Sequence, residues 1–257
     1  MTSRLVVFLL FCPLFLWTQG VYLEKAISAE DHKRKAPLME ALSYQCAGVS
    51  IKVKVGKDGV VKCGNQTFES LYLKPLEQRV AGNGGNVYEG RTEEFFLFVK
   101  ADGDSMQVLQ QMQSLCASYA GILSGLENGQ RKRKAVRIVL SGDVPVRQIA
   151  LSENRYFHVD EDLERPDGRW NGNQIATASL SFGKLYNWNG EGNMPNMQYM
   201  GIMGQVKNGH KAGRLVLLRQ IPESLNALSI LDGTGADFLE VEDLKLFSTY
   251  RKNKKAY

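Results

Sequence analysis

Residues 48–76 read GVSIKVKVGKDGVVKCGNQTFESLYLKPL: a strand, a turn, a second strand and an amphipathic run. Ile51, Val53 and Val55 alternate with Lys52 and Lys54, so one side of the first strand is apolar while the other carries two ammonium groups. Asp58-Gly59 supplies the turn. A strand of this kind suits either an exposed sheet edge with solvated lysines or the wall of a polar cavity. The neighbouring segments decide between them.

Further strand-like runs occur at Tyr22–Ile27, Val49–Val55, Phe95–Lys100, Val136–Ser141, Tyr156–Val159, Ala178–Phe182, Arg214–Arg219 and Ala236–Glu240. Helical patterns lie between them at 37–45, 104–121, 195–208, 223–231 and 242–250. In the 104–121 segment, Met106, Leu109, Met112, Leu115 and Tyr119 recur at helical spacing. Short strands alternating with helices imply right-handed crossovers and a parallel sheet. At this length the pattern predicts a single α/β domain over 21–257, a closed (β/α)8 TIM-type barrel, with an open doubly wound sheet as the alternative. Residues 81–92 (AGNGGNVYEGRT) and 128–134 (NGQRKRK) read as surface loops.

The 257 residues are 44% hydrophobic and 23% charged, with a net charge of +5. That balance suits a folded globular protein. It gives no support for nucleic-acid binding, since no basic run is interleaved with aromatic residues. Arg4 precedes the apolar run LVVFLLFCPLFLW, and Thr18-Gln19-Gly20 offers small residues for cleavage. Residues 1–20 are therefore read as a signal peptide, with no transmembrane segment and with secretion to the extracellular space. After cleavage Cys46, Cys63 and Cys116 remain. In an oxidising compartment the preferred pair is Cys46 with Cys63, against the alternative of three buried free thiols. Asn65-Gln66-Thr67 is a glycosylation sequon.

The chemical motifs are sparse. The three histidines, His32, His158 and His210, have no metal-ligand spacing, so no metal site is assigned. There is no glycine-rich phosphate loop after a strand and no G-x-S-x-G elbow. Asp160, Glu161 and Asp162 open a carboxylate-rich segment that reads as a solvated loop or a calcium-holding one. The basic segment 131–134 (RKRK) is either a solvated connection or a surface for heparin or other acidic glycans.

Several segments in one order resemble the glycerophosphodiester phosphodiesterase superfamily, in particular its phosphoinositide-phospholipase-C-like members. They are APLMEALSYQCAGVSIKVKVGKDGVV (36–61), TFESLYLKPL (67–76), FFLFVKADG (95–103), VRIVLSGDVP (136–145), NWNGEGNMP (187–195) and GADFLEVEDL (235–244). The resemblance implies the same barrel. It also implies a mechanism in which two histidines move protons and acidic residues hold a divalent cation.

Residue by residue, that machinery is replaced. The first pair of histidine positions holds Ile27 and Ala29, and of that motif only Asp31 matches. The acidic pair of the second strand falls on Lys52 and Lys54, and the second catalytic histidine falls on Asn65. An acidic position on the third strand falls on Phe98, with Lys100 kept. Glu240 stands where relatives often carry an amide or hydroxyl, and RLVLLR (214–219) lacks the expected aromatic residue. Ammonium groups repel a cation instead of ligating it. The resemblance therefore implies a degenerate member with no cofactor, a pseudoenzyme. Lys52, Lys54 and Lys100 become candidates for binding an anionic small molecule. A glycan on Asn65 would stand over the former active site. An active phosphodiesterase using His32 as base, with Glu30 or Asp31 on a metal, is the alternative.

Overall fold

The computed structural model of the chain describes residues 23–166, 169–170 and 175–255; residues 1–20, read above as a signal peptide, lie outside them. Eight strands form the central sheet: β1 (Leu23–Ser28), β2 (Cys46–Val55), β3 (Phe95–Ala101), β4 (Val136–Ser141), β5 (His158–Asp162), β6 (Ile175–Ser181), β7 (Leu215–Arg219) and β8 (Phe238–Val241). Each pairs in parallel with its neighbour in chain order, and β8 pairs with β1. The sheet is thus a closed barrel, and the open doubly wound alternative is excluded.

The connections carry α1 (Met39–Ser43), α2 (Lys74–Gly82), α3 (Ser105–Ala117), α4 (Val146–Leu151), α5 (Phe182–Leu185), α6 (Asn196–Lys211) and α7 (Leu225–Asp232), and α8 (Leu244–Lys255) follows β8. Local chemistry fixes their ends. Asp104 accepts the backbone N–H groups of Met106 and Gln107 and so starts α3, and Ser224 accepts from Ala227 to start α7. Each helix buries one stripe, as with Val108, Met112 and Cys116 on α3.

Alternation along the strands creates two cores. Val49, Ile51 and Val53 face the helices together with Leu97, Val99, Ile138, Leu140 and Leu218. Ile27, Phe96, Phe98, Val139, Leu217 and Phe238 fill the inside of the barrel. Phe96, Phe98 and Phe238 touch one another, with ring centroids 4.7–6.2 Å apart, which closes the barrel as a packed plug. Gly48 admits this plug: a Cβ there would stand 2.2 Å from the carbonyl oxygen of Phe96, so any side chain would force β2 and β3 apart.

Several sequence expectations are corrected. Segment 128–134 is not an open loop; Gly125–Glu127 pairs with Gln130–Lys132 around Asn128-Gly129, both at positive φ as a two-residue hairpin turn demands. Within the basic run, Arg133 pairs with Glu94 and Lys134 with Glu127. Residues Asp160–Asp162 belong to β5 itself. Strand alternation sends Asp160 into the barrel and Glu161 outward to Arg214, so the three carboxylates do not converge on one ion.

The Cys46–Cys63 pair is also corrected, since Cys46, Cys63 and Cys116 are all buried free thiols. Cys46 begins β2, whereas Lys62 pairs with Lys54 near its far end, which sets Cys63 beside Val53. Seven residues of strand separate the two cysteines by about 23 Å, far beyond the roughly 7 Å Cα separation that a disulfide spans.

Candidate functional site

The C-terminal ends of the strands open into a cavity of about 760 Å³. In barrels of this class that face carries the site, because loops there can vary without disturbing the core. The floor is built on Arg219, the last residue of β7. Strand alternation turns Leu215, Leu217 and Arg219 inward, while Val216 and Leu218 face the helices. The Arg219 guanidinium carbon lies 5.3 Å from the centre of the Phe98 ring. Its nitrogens donate to Glu240 at 3.1 Å, Asp160 at 3.3 Å, Ser179 at 3.0 Å and Ser50 at 3.3 Å. Asp160 also accepts from Thr177 and Ser179. Burial pushes the Asp160 carboxyl above the usual carboxylate range, and the Arg219 charge opposes that shift.

Above the floor, Lys52 on β2, Lys100 on β3 and Ser141 on β4 are register partners across three adjacent strands. All three line the cavity. Lys52 pairs with Glu30 at 2.8 Å, which raises the lysine pKa. Glu30 is held down to about 2 by its hydrogen bonds to Lys33 and Lys52. Lys100 extends past Gly142 and has no carboxylate partner among the described residues. Lys184, from α5, joins Lys52, Lys100 and Arg219 as the cations of the lining, among eight carboxylates: Glu30, Asp160, Glu161, Asp162, Glu164, Glu223, Glu240 and Glu242.

The remaining residues singled out from sequence are dispersed. Lys54 is exposed, outside the cavity lining, and faces Lys62 across the adjoining hairpin. Asn65 is exposed in the turn between Val61–Cys63 and Gln66–Thr67 and does not line the cavity either. Ile27 and Phe98 belong to the apolar plug, and only Ala29 of the lost histidine positions lines the mouth.

Asp31 is fully buried. It accepts from Ser28 at 3.0 Å, from the Leu38 N–H at 2.6 Å and from Tyr72 at 2.9 Å, so it braces the loop between β1 and α1. None of the three histidines lines the cavity. His32 is half-buried, with Nδ1 3.5 Å from the Lys52 backbone N–H, and burial lowers its pKa. His158 is buried at the start of β5, and His210 on α6 pairs with Asp237 at 2.8 Å.

Arg219 and its hydroxyl partners are the residues that sequence reasoning missed. The signal was present: an arginine at the C-terminal end of a strand, in phase with the inward Leu215 and Leu217.

With this geometry in view, solved structures supply the comparison. A glycerophosphodiester phosphodiesterase from Agrobacterium tumefaciens str. C58 superposes with a TM-score of 0.55 at 12% identity, over 89% of this chain and 99% of that one. The chain has the glycerophosphodiester phosphodiesterase fold. A protein from Silicibacter pomeroyi DSS-3 named as a glycerophosphoryl diester phosphodiesterase gives 0.54 at 8% identity, over 92% of this chain and 96% of that one. No family model and no curated protein matches the chain.

A divalent cation, implied by the sequence resemblance, would have to compete at the floor with a guanidinium. Asp160 and Glu240 already share a guanidinium, and Lys52 stands above them. Among the described residues no three His, Cys, Asp or Glu side chains gather in a metal-holding group.

Proposed function

We propose that the chain is a secreted phosphodiesterase-fold protein that binds a small anion in the barrel mouth and does not hydrolyse it. The reading rests on one observation: Arg219 occupies the floor between Asp160 and Glu240, so the cavity already has a fixed cation where a metal-dependent hydrolase needs free carboxylates. A phosphate or phosphoester group would meet the Lys100 ammonium and the Ser141 hydroxyl, with Lys52 beside them. The attraction is local to Lys100, which has no carboxylate partner among the described residues, since carboxylates outnumber cations in the lining as a whole. Asn65, exposed at the tip of its turn, is the glycosylation site in this reading. The glycan-binding alternative draws less support, because Arg133 and Lys134 are already paired with carboxylates.

The test is a phosphodiesterase assay on the purified chain. It uses glycerophosphodiester and phosphoinositide substrates with magnesium, calcium or manganese, and a chelator control. The expected result is no turnover, together with saturable binding of glycerol phosphate that Lys100→Met weakens. The glycerophosphodiester phosphodiesterase from Agrobacterium tumefaciens str. C58 is the positive comparison in the same assay. Chelator-sensitive turnover by the unmodified chain would overturn the reading and make His32 the first residue to substitute.

A further inference from the structure

A second concave surface lies on the outside of the barrel, along α6. Met197, Met200 and Met203 are 88%, 63% and 37% exposed, at positions that share one helix face. The same face continues through Gly204 to Lys207 and Lys211, and with Thr234 of the loop before β8 it bounds a groove of about 610 Å³. Large apolar side chains left in water on one stripe mark a contact surface more often than chance exposure does. Methionine is the side chain that adapts most readily to a variable partner.

Gly204 adds an independent observation. A Cβ at Gly209 would strike Val216 at 2.6 Å, and one at Gly201 would approach the Tyr186 hydroxyl at 3.3 Å, so packing accounts for both. At Gly204 a Cβ would meet nothing within 4 Å, and the φ there is not positive. Glycine in a helix interior is less favourable than alanine, because it gives up more backbone freedom. Here the fold gains nothing in return; only the open floor of the groove does.

The charges identify the occupant. Lys207 and Lys211 have no carboxylate partner among the described residues, and His210 is held by Asp237. The groove is therefore apolar at its Met200 end and cationic at its Lys211 end. We propose that it docks an acidic amphipathic helix of a partner protein, whose apolar side enters between Met200 and Met203 over Gly204 and whose carboxylates meet Lys207 and Lys211. From Met200 to Lys211 the groove runs about 17 Å along α6, enough for about three turns of a docked helix. A concave site suits a peptide better than a flat lipid surface does.

The test selects binders for the full chain from a displayed library of 18-residue amphipathic helices with randomised charge. The expected pool is acidic. Its members lose at least ten-fold in affinity on Gly204→Leu, which fills the groove while favouring the helix, and on Lys207→Glu with Lys211→Glu. Thermal unfolding confirms that each variant is folded. A pool without acidic bias, or binding indifferent to both changes, overturns the proposal. So does loss of binding to anionic vesicles in the same variants with no peptide selected, which would make the face a lipid contact.

Discussion

Arg219 lays its guanidinium 5.3 Å from the centre of the Phe98 ring, so the apolar plug of the barrel ends where its polar floor begins. The flat face of the cation is satisfied by the ring and its edges by Asp160, Glu240, Ser50 and Ser179. The pairing joins a phenylalanine of β3 to an arginine of β7 across the barrel.

Removing that cation leaves two carboxylates facing each other in a mostly buried place. Arg219→Met is expected to destabilise the chain by about 3 kcal/mol, the usual scale for breaking a buried ion pair on one side. Adding Asp160→Asn and Glu240→Gln should recover most of the loss, since neutral amides remove the repulsion. Denaturant unfolding of the single and triple variants measures both effects. Equal loss in the two would mean that Arg219 acts through packing on Phe98 alone.

The anion reading predicts a division among the lysines. Lys100→Met should weaken glycerol phosphate binding about ten-fold or more, and Ser141→Ala by a smaller factor. Lys54→Met should change it little, because Lys54 lies outside the cavity lining. Titration calorimetry at low and high salt checks the ranking, and a purely electrostatic contribution fades as salt rises.

The barrel was legible because eight apolar runs recur between helical segments, whereas alternation in β2 puts Lys52 and Lys54 on one side without saying that only Lys52 reaches the cavity. The floor was less legible. Arg219, Asp160 and Glu240 come from three distant strands, and only closure of the ring brings them within hydrogen-bond reach. The cysteine pairing failed for a related reason. Cys46 and Cys63 are close in sequence, but the ten-residue strand between them runs nearly its whole length before the chain turns back. Helix α2 was missed because its start, Lys74-Pro75, follows directly on a π-helical turn at Glu69–Leu73, where apolar spacing departs from the α-helical period.

The thiols give a chemical check on the strand register. Burial pushes Cys63 and Cys116 up to about 12, and Cys46 higher still, so none is an accessible thiolate near neutral pH. The folded chain without residues 1–20 should react slowly with a thiol reagent, whereas the unfolded, unreduced chain should release three equivalents. One equivalent would reveal a disulfide and contradict the free thiols.

Acid sensitivity should centre on Asp232, at the end of α7. Its carboxylate is 2% exposed and is ringed by Lys25 at 2.7 Å, Lys254 at 2.5 Å and Tyr250 at 2.7 Å. These contacts tie α8 to β1 and α7. Burial alone would raise its pKa, but the lysine and tyrosine hydrogen bonds outweigh that and hold it well below the usual carboxylate range. A carboxyl depressed by folding stabilises the native state above its unfolded pKa of about 4 and loses that contribution as pH falls below it. Stability should therefore decline steeply below about pH 4 in the native chain. In Asp232→Asn the decline should be shallower, starting from a stability about 3 kcal/mol lower at neutral pH. Parallel slopes in the two proteins, read from urea unfolding between pH 2 and 7, would assign the acid response to another carboxylate, with Glu30 next in line.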